Sequence, residues 1–476
     1  MKEDRDITEN YPCNPGPVTL KDIRVLRGAN YYSGGPVIYM KVSLNEYDEV
    51  FTNQIGGFYE DLAMALPTLI EHHCSEGMRG GFFTRLKDGT LLGHVIEHVA
   101  IELQTLAGMD VSFGKTRSAL TQGEYNIVFR FYNEYAGVHA GKAAINLVNS
   151  LLLHQPFNVM DVVAQLIAFR KSRDFSYFIE AMIHEASEMQ IPWMHIEKLN
   201  MIQFGSGRYQ QRISSDLHST PEKTDHQLHD ALSYLQSLFI DLEKDHIPLI
   251  SVTGSKGKTM CTELIARGLE AMGMKTALSN SNGVFYDNVK SDCLVDSENP
   301  HAKHLLQNPN IDIAVCETPV ESIFASGLSY QLADMGVVLN VNDDCLRELD
   351  VKRIDDLAYA KSVVAEEVRT DGFTLLNADE DLVVEMSTRL YSQVAWFSSV
   401  RNSSRTLKLL SSNVIIAIND GKELKIYRNG QNVFDICIKN SSFLNFENKI
   451  YESVNATILA LFLLGVDKDI INQVLN

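Results

Sequence analysis

The sequence predicts an α/β protein, with a doubly wound, mainly parallel sheet of P-loop type over its second half and an α+β region before it. Three observations predict this. A short apolar run, Pro248 to Val252, ends in a glycine-rich turn and continues into a helical pattern, which reads as a buried parallel strand feeding a helix. Further apolar runs then alternate with helical patterns towards residue 476. The first third instead carries two strand-like runs around a turn-rich link, followed by amphipathic helices.

Composition sets the outer bounds. A chain of 476 residues, 45% hydrophobic and 22% charged, has the profile of a soluble globular protein of two to four domains. A formal net charge of −19 opposes general binding to nucleic acid or an anionic membrane. The seven cysteines are scattered with no C-x-x-C pair, as expected of reduced thiols in a cytoplasmic protein. The opening MKEDRDITEN is charged and polar, so no signal peptide is expected, and the apolar runs near 145–153 and 456–466 are too short to span a bilayer.

In the N-terminal region, residues 1–158, Ile23–Arg27 and Pro36–Val42 read as strands, and Phe58–Ile70 as a helix with Leu62, Leu66 and Leu69 on one face. Leu91–Leu106 reads as a second helix through Val95, Val99 and Leu103. It carries His94, Glu97 and His98 in the spacing H-x-x-E-H. Two His at i and i+4 share a face and can reach one Zn²⁺, and Glu97 can act as general base on a bound water. Glu102, one turn on, is a candidate third ligand or outer partner, and His72, His73 and Glu76 lie nearby in sequence. The competing reading is a helix whose His and Glu make ordinary hydrogen bonds and surface pairs.

Residues 159–246 form a middle stretch. Asp161–Glu188 reads as one or two helices, Trp193–Ile196 and 201–210 as short strands around turns, and Asp225–Glu243 as a helix. From 247 to 476 the candidate strands are Pro248–Val252, Thr276–Leu278, Ile313–Cys316, Met335–Leu339, Gly372–Leu376 and Val394–Phe397.

The turn Gly254-Ser255-Lys256-Gly257-Lys258-Thr259 has the chemistry of a phosphate cradle. Glycines let backbone N–H groups approach an anion, and the helix N-terminus adds its positive end. Lys258 can reach outer phosphates, and the Thr259 hydroxyl can hold Mg²⁺. The spacing is a shortened G-x-x-G-K-T, because position 252 is valine rather than glycine. Strand ends are site positions in such a sheet, which singles out Glu317 after DIAVC and Asn340 after GVVL.

Two resemblances follow. IRVLRGANYYSGG, NQIGGFYEDL, the stretch from HHCSEGMRGG to MDVSFGKTR, and GEYNIVFRFYNEYAGVHAGKAA resemble the N-terminal domain of cyanophycin synthetases. The resemblance implies a domain that holds a growing amino-acid polymer. In some members it also implies a metal-dependent hydrolytic activity, whose seat would be the H-x-x-E-H helix. SVTGSKGKT, DIAVCET, GVVLNVNDDCL, AKSVVAEEV, GFTLLNADED and SVNATILALFLLGV resemble the central ATPase domain of the Mur ligase family. That implies ATP-dependent activation of a carboxylate as an acyl phosphate and attack by an amine. On this pattern Gly254, Ser255, Lys256, Gly257 and Lys258 bind phosphate, and Thr259 and Glu317 hold Mg²⁺. Lys361 matches a lysine that is carbamylated in many relatives. Asn340 and Asp344 lie in the strand-end segment of the site, Asn377 and Asp379 match a structural turn, and Asn455 remains from a motif that meets the nucleotide base.

The departures are equally specific. Asp344-Cys345-Leu346 stands where Asp-His-Leu is usual, Pro319-Val320-Glu321-Ser322 where a glycine-rich segment is usual, and Tyr451-Glu452 where a His-Asn pair is usual. About forty residues separate Arg212 from the loop, too few for the family's ATP-grasp domain, so its aspartate-adding activity is not expected. The chain ends at Asn476, where a Mur ligase continues into a C-terminal domain that closes over ATP. The implied substrates are ATP and an acidic peptide or amino-acid polymer, and the implied assembly is a homo-oligomer or a complex with a partner ligase subunit. Ligation is thus the leading expectation. The alternatives are a metal-dependent hydrolase working through His94, Glu97 and His98, and a non-catalytic nucleotide- or polymer-binding module.

Overall fold

The computed structural model describes residues 11–74, 77–217, 225–242, 244–291, 301–343, 346–438 and 449–475. They divide into two compact units. The first runs to Asp174 and takes in Ala325–Gly327 and Arg347–Lys352; the second holds the rest.

In the first unit, β1 (Thr19–Leu26), β2 (Val37–Ser43), β3 (Gly114–Ser118) and β4 (Glu124–Phe129) form an antiparallel sheet in the order β1-β2-β4-β3. Its helices are α1 (Phe58–Ala65), α2 (Gly81–Asp88), α3 (Leu92–Leu106), α4 (Glu134–Leu152) and α5 (Val159–Arg173). Alternation along the strands sends Ile38, Met40, Val42, Ile127 and Phe129 into one core with Val95, Val99 and Leu103 of α3. The predicted Phe58–Ile70 helix is shorter than expected. It stops at Ala65, and a 3-10 turn covers Pro67–Glu71. Pro67 is the cause, because its ring pushes the preceding residue out of the α region, and Leu66 sits at φ −135, ψ 70.

The second unit opens with α6 (Tyr177–Glu188), a three-stranded antiparallel sheet of β5 (Trp193–Ile196), β6 (Met201–Phe204) and β7 (Gln211–Ser214), and α7 (Asp225–Leu238). The 161–188 pattern is therefore two helices, with Ser176 capping the second through the Ile179 N–H.

The main sheet follows. Its elements in order are β8 (Leu249–Thr253), α8 (Lys258–Ala271), β9 (Thr276–Asn280), β10 (Gly283–Tyr286), β11 (Val289–Lys290), α9 (His301–Leu306), β12 (Ile313–Glu317), α10 (Val320–Ala325), β13 (Ala333–Val338), α11 (Ile354–Glu366), β14 (Val368–Asn377), α12 (Asp381–Met386), β15 (Gln393–Ser398), α13 (Ser404–Leu410), β16 (Ile415–Asn419), β17 (Glu423–Arg428), β18 (Gln431–Cys437), α14 (Lys449–Leu463) and α15 (Lys468–Leu475). Eleven strands lie in the order β11-β10-β9-β12-β8-β13-β14-β15-β16-β17-β18. From β9 to β16 every pairing is parallel. β8, β9 and β12 are buried along their whole length, as strands covered by helices on both faces must be.

The predicted strands are all present, but the sheet is wider than the sequence reading made it. The additions are β16, which pairs in parallel with β15, and two antiparallel edges, β10-β11 and β17-β18. Each closes on a two-residue turn with both central residues at positive φ, Asp287-Asn288 and Asn429-Gly430. Among the described residues no helix is long and apolar enough to cross a membrane.

Candidate functional site

Two sites emerge, one in each unit. In the second unit, β8 delivers the chain to the loop at the carboxyl edge of the sheet, where its strand order reverses around β8. Gly257 begins α8 at φ +86, and a Cβ there would stand 2.1 Å from Ser453 Oγ. Only glycine fits that turn and that approach. Ser453 in turn donates to the Gly257 carbonyl at 3.0 Å, so the first turns of α14 brace the loop.

Asn340 holds the loop from the other side. Its Oδ1 accepts from the N–H groups of Ser255 and Lys256, both at 2.9 Å, and its Nδ2 donates to the Lys256 carbonyl at 3.2 Å. The same Nδ2 donates to Glu452 Oε2 at 2.5 Å. Asn340 thus positions the loop, and Glu452, which replaces an expected neutral side chain, sets a carboxylate beside it.

Glu317 closes β12 next to the loop. Thr259 Oγ1 donates to its Oε2 at 2.9 Å, and Lys258 Nζ lies 3.7 Å from its Oε1. A hydroxyl and a carboxylate are hard oxygen donors, the set that suits Mg²⁺. Lys361, 1% exposed on α11, donates to Ser255 Oγ at 2.7 Å. Gly254, Ser255, Lys258, Glu321, Asn342 and Lys361 line a small cavity there, so the departure at Glu321 faces the loop.

The structure does not bring Asn455 to the loop. It is fully buried, its Oδ1 accepts from Asn419 Nδ2 at 2.7 Å, and its Nδ2 donates to Ser399 Oγ at 3.0 Å. Both ends of the amide are spent on the strand ends. Asn377 and Asp379 build the expected turn, with Asp379 accepting from Ser398 Oγ and the Ser399 N–H. Asp344 and Cys345 lie outside the described residues.

In the first unit, α3 lines a cavity of about 850 Å³. His94 Nε2 and His98 Nε2 are 3.1 Å apart, and Cys74 Sγ lies 3.4 Å from His94 Nε2. A tetrahedral zinc with bonds of about 2.05 Å to nitrogen and 2.3 Å to sulfur needs edges of roughly 3.3 and 3.6 Å, close to these two distances. Cys74, His94 and His98 are the metal-capable trio among the described residues. Glu102, expected as a candidate ligand, stands one layer out. It meets His72 Nε2 at 2.7 Å, and His72 Nδ1 meets His98 Nδ1 at 2.8 Å. Thr90 Oγ1 orients His94 through Nδ1 at 3.1 Å. Such outer partners fix the ring orientation of a ligating histidine.

Burial governs protonation here. It pushes His94 down to about 4, with Arg85 adding to the effect, and His98 down to about 2, helped by His94, His72 and Arg85. Both rings are therefore neutral near pH 7 and can offer lone pairs. Burial pushes the Glu97 carboxyl up to about 7, against the opposing hydrogen bond from Thr116 Oγ1 at 2.6 Å. Glu97 packs so closely on β3 that a Cβ at Gly114 would meet its Oε1 at 2.6 Å. Glu76 lies outside the described residues.

Cys74 was the residue that sequence spacing missed, being twenty positions from His94. Its signal was the adjacency to His72 and His73. In the second unit the reading missed Ser453, whose position only helix packing reveals.

Comparison with known proteins agrees with this architecture. Residues 39–153 match the family described as the cyanophycin synthase-like N-terminal domain, and residues 252–444 match the Mur ligase middle domain. A cyanophycin synthetase from Geminocystis herdmanii is 23% identical over 713 alignment positions, covering 94% of this chain and 81% of the relative. That alignment is longer than this chain of 476 residues, so the relative holds sequence without a counterpart here. A cyanophycin synthetase from Synechocystis is 42% identical over 199 residues, 41% of this chain and 23% of the relative. Among solved structures, the MurF ligase of Thermotoga maritima in complex with ADP aligns with a TM-score of 0.34 at 15% identity. It covers 51% of this chain, and the chain spans about half, 51%, of that protein.

Proposed function

We propose that the second unit binds ATP with Mg²⁺ at Gly254–Thr259 and uses it to join a carboxylate to an amine through an acyl phosphate, the carboxylate belonging to an acidic peptide or amino-acid polymer. The observation that carries this reading is the placement of Thr259, Lys258 and Glu317 on one another at the strand edge, beside a loop pinned by Asn340. Loop N–H groups and the α8 N-terminus receive phosphate oxygens, and Lys258 follows the charge as it develops on the transferred group. Thr259 and Glu317 would hold Mg²⁺, which neutralises phosphate charge. Lys361 and Ser255 line the small cavity beside the loop.

Calorimetry of Mg²⁺·ATP binding tests the reading. Binding by the wild type and a loss of at least about tenfold, roughly 1.4 kcal/mol, in Lys258→Ala are expected. Equal affinity in the two would remove the loop's role. Phosphate release stimulated by an amino acid together with an acidic peptide then tests ligation.

A second reading has its own observation, the Cys74–His94–His98 triangle. We propose that the first unit holds Zn²⁺ there and cleaves peptide bonds. The metal would lower the pKa of a bound water. Glu97, held near neutrality by burial, is suited to receive a proton at its carboxylate, and His72 and Glu102 keep His98 oriented. Peptidase assay of the zinc-loaded chain tests it, with Glu97→Gln expected to abolish cleavage while zinc stays bound.

A further inference from the structure

We propose that the outer edge of β3 is the peptide-binding site of the metal cavity, where an extended peptide adds to the sheet as an antiparallel strand; this deepens, and rests on, the hydrolase reading above. β3 is the end strand of its sheet, in the order β1-β2-β4-β3. Its antiparallel pairing with β4 runs without a shift from Gly114 opposite Phe129 to Ser118 opposite Tyr125. The bonds at the two ends fix which residues face that partner. The Arg130 N–H donates to the Phe113 carbonyl at 2.8 Å, and the Ala119 N–H donates to the Glu124 carbonyl at 2.9 Å. Bonded pairs alternate along an antiparallel ladder, so Phe113, Lys115, Arg117 and Ala119 turn their backbone groups to β4. Gly114, Thr116 and Ser118 therefore turn theirs to the other side, where no further strand lies among the described residues.

That edge borders the metal cavity. Gly114 and Thr116 line it together with Cys74, His94, Glu97 and His98. Thr116 Oγ1 donates to Glu97 Oε2 at 2.6 Å, and a Cβ at Gly114 would stand 2.6 Å from Glu97 Oε1. Two of the three outward-turned residues thus sit against the carboxylate that would receive a proton. A strand added to β3 lies about 4.8 Å from it, which puts the peptide inside the cavity rather than beside it. The cavity volume of about 850 Å³ is of the size that holds a ligand, about 300–1,000 Å³.

A row of outward N–H and C=O groups is a template for one more strand, and main-chain pairing of this kind supplies affinity whatever the side chains. It also sets direction. An antiparallel peptide exchanges both bonds with Gly114, Thr116 and Ser118 at every second residue, so its backbone is held straight past Glu97. Lys115 and Arg117 stand two apart on one face of β3, the spacing of successive carboxylates on one face of an extended acidic peptide.

The probe is a fluorescein-labelled aspartate hexapeptide, its binding followed by anisotropy on the full chain in EDTA, where no zinc-dependent cleavage consumes it. Backbone N-methylation at two adjacent central residues blocks both faces of the strand and is expected to weaken binding about tenfold. N-methylation at two residues one apart leaves every N–H of the other face intact and is expected to bind as the parent does. Ser118→Pro removes one outward N–H without touching the β4 ladder and is expected to weaken the parent peptide about threefold. Three peptides of equal affinity, equal losses in both methylated peptides, or a parent peptide that does not bind would each overturn the added strand. The expected pattern in a chain that takes up no zinc when loaded would uphold the edge site and take down the hydrolase reading alone.

Discussion

The Lys361 ammonium donates to the Ser255 hydroxyl at 2.7 Å, tying α11 to a loop 106 residues earlier. Lys361 is almost wholly buried, so its removal leaves a cavity and takes one hydrogen bond from the Ser255 hydroxyl, which keeps its pairing with the Asn342 backbone. Lys361→Ala is expected to lower unfolding free energy by about 2–4 kcal/mol in urea titrations. Lys361→Met fills the space and loses only the hydrogen bond, about 1–3 kcal/mol. Equal stability in both variants and the wild type would show that the tether contributes nothing.

Gly257 offers a two-step test of the loop. Its φ of +86 costs a residue with a Cβ about 1–3 kcal/mol, and that Cβ would clash with Ser453 Oγ at 2.1 Å. Gly257→Ala should abolish measurable ATP binding and lower the melting temperature. Adding Ser453→Ala relieves the clash but not the backbone strain, so the double variant should regain only part of the lost stability.

His246 gives the second unit a pH dependence. Burial opposes its charge, but hydrogen bonds to Asp245 and Asp334 outweigh that and leave its pKa raised. A raised folded pKa means the native state binds the extra proton. The stabilisation is full below the unfolded value of about 6.5 and is lost as pH rises through the folded value. The difference in unfolding free energy between wild type and His246→Gln should therefore be larger at pH 6 than at pH 9. A gap that grows with pH would reverse the assignment.

The metal triangle predicts a stoichiometry. Elemental analysis after zinc loading should find one zinc per wild-type chain in the first unit. Cys74→Ser and His98→Ala should each weaken zinc binding at least about tenfold, whereas His72→Ala, which removes the outer hydrogen bonds to His98 and Glu102 but no ligand, should cost less. Zinc binding unaffected by either ligand change would refute the site.

The readable parts of this protein are those whose signal is local. The apolar run before Gly254, the helical period of Leu91–Leu106 and the strand–helix alternation after residue 247 each report a short-range preference, and each element stands where the pattern put it. The antiparallel β16–β18 edge was also written locally, as Asp-Gly at 420–421 and Asn-Gly at 429–430, and went unread beside the stronger parallel pattern. Pro67 was equally legible as a helix stop.

The sequence by itself determined the phosphate loop, the H-x-x-E-H helix and the α/β order, because spacing along one strand or helix decides which side chains share a face. Only the tertiary structure decided which distant groups meet them. It set Ser281 against Thr259 and Glu317 through strand register, and Ser453 against Gly257 through the packing of α14. It brought Cys74 to His94 while giving Glu102 to His72, and it spent Asn455 on Asn419 and Ser399. Such pairings depend on how elements far apart in the chain stack and align, and no local pattern encodes that.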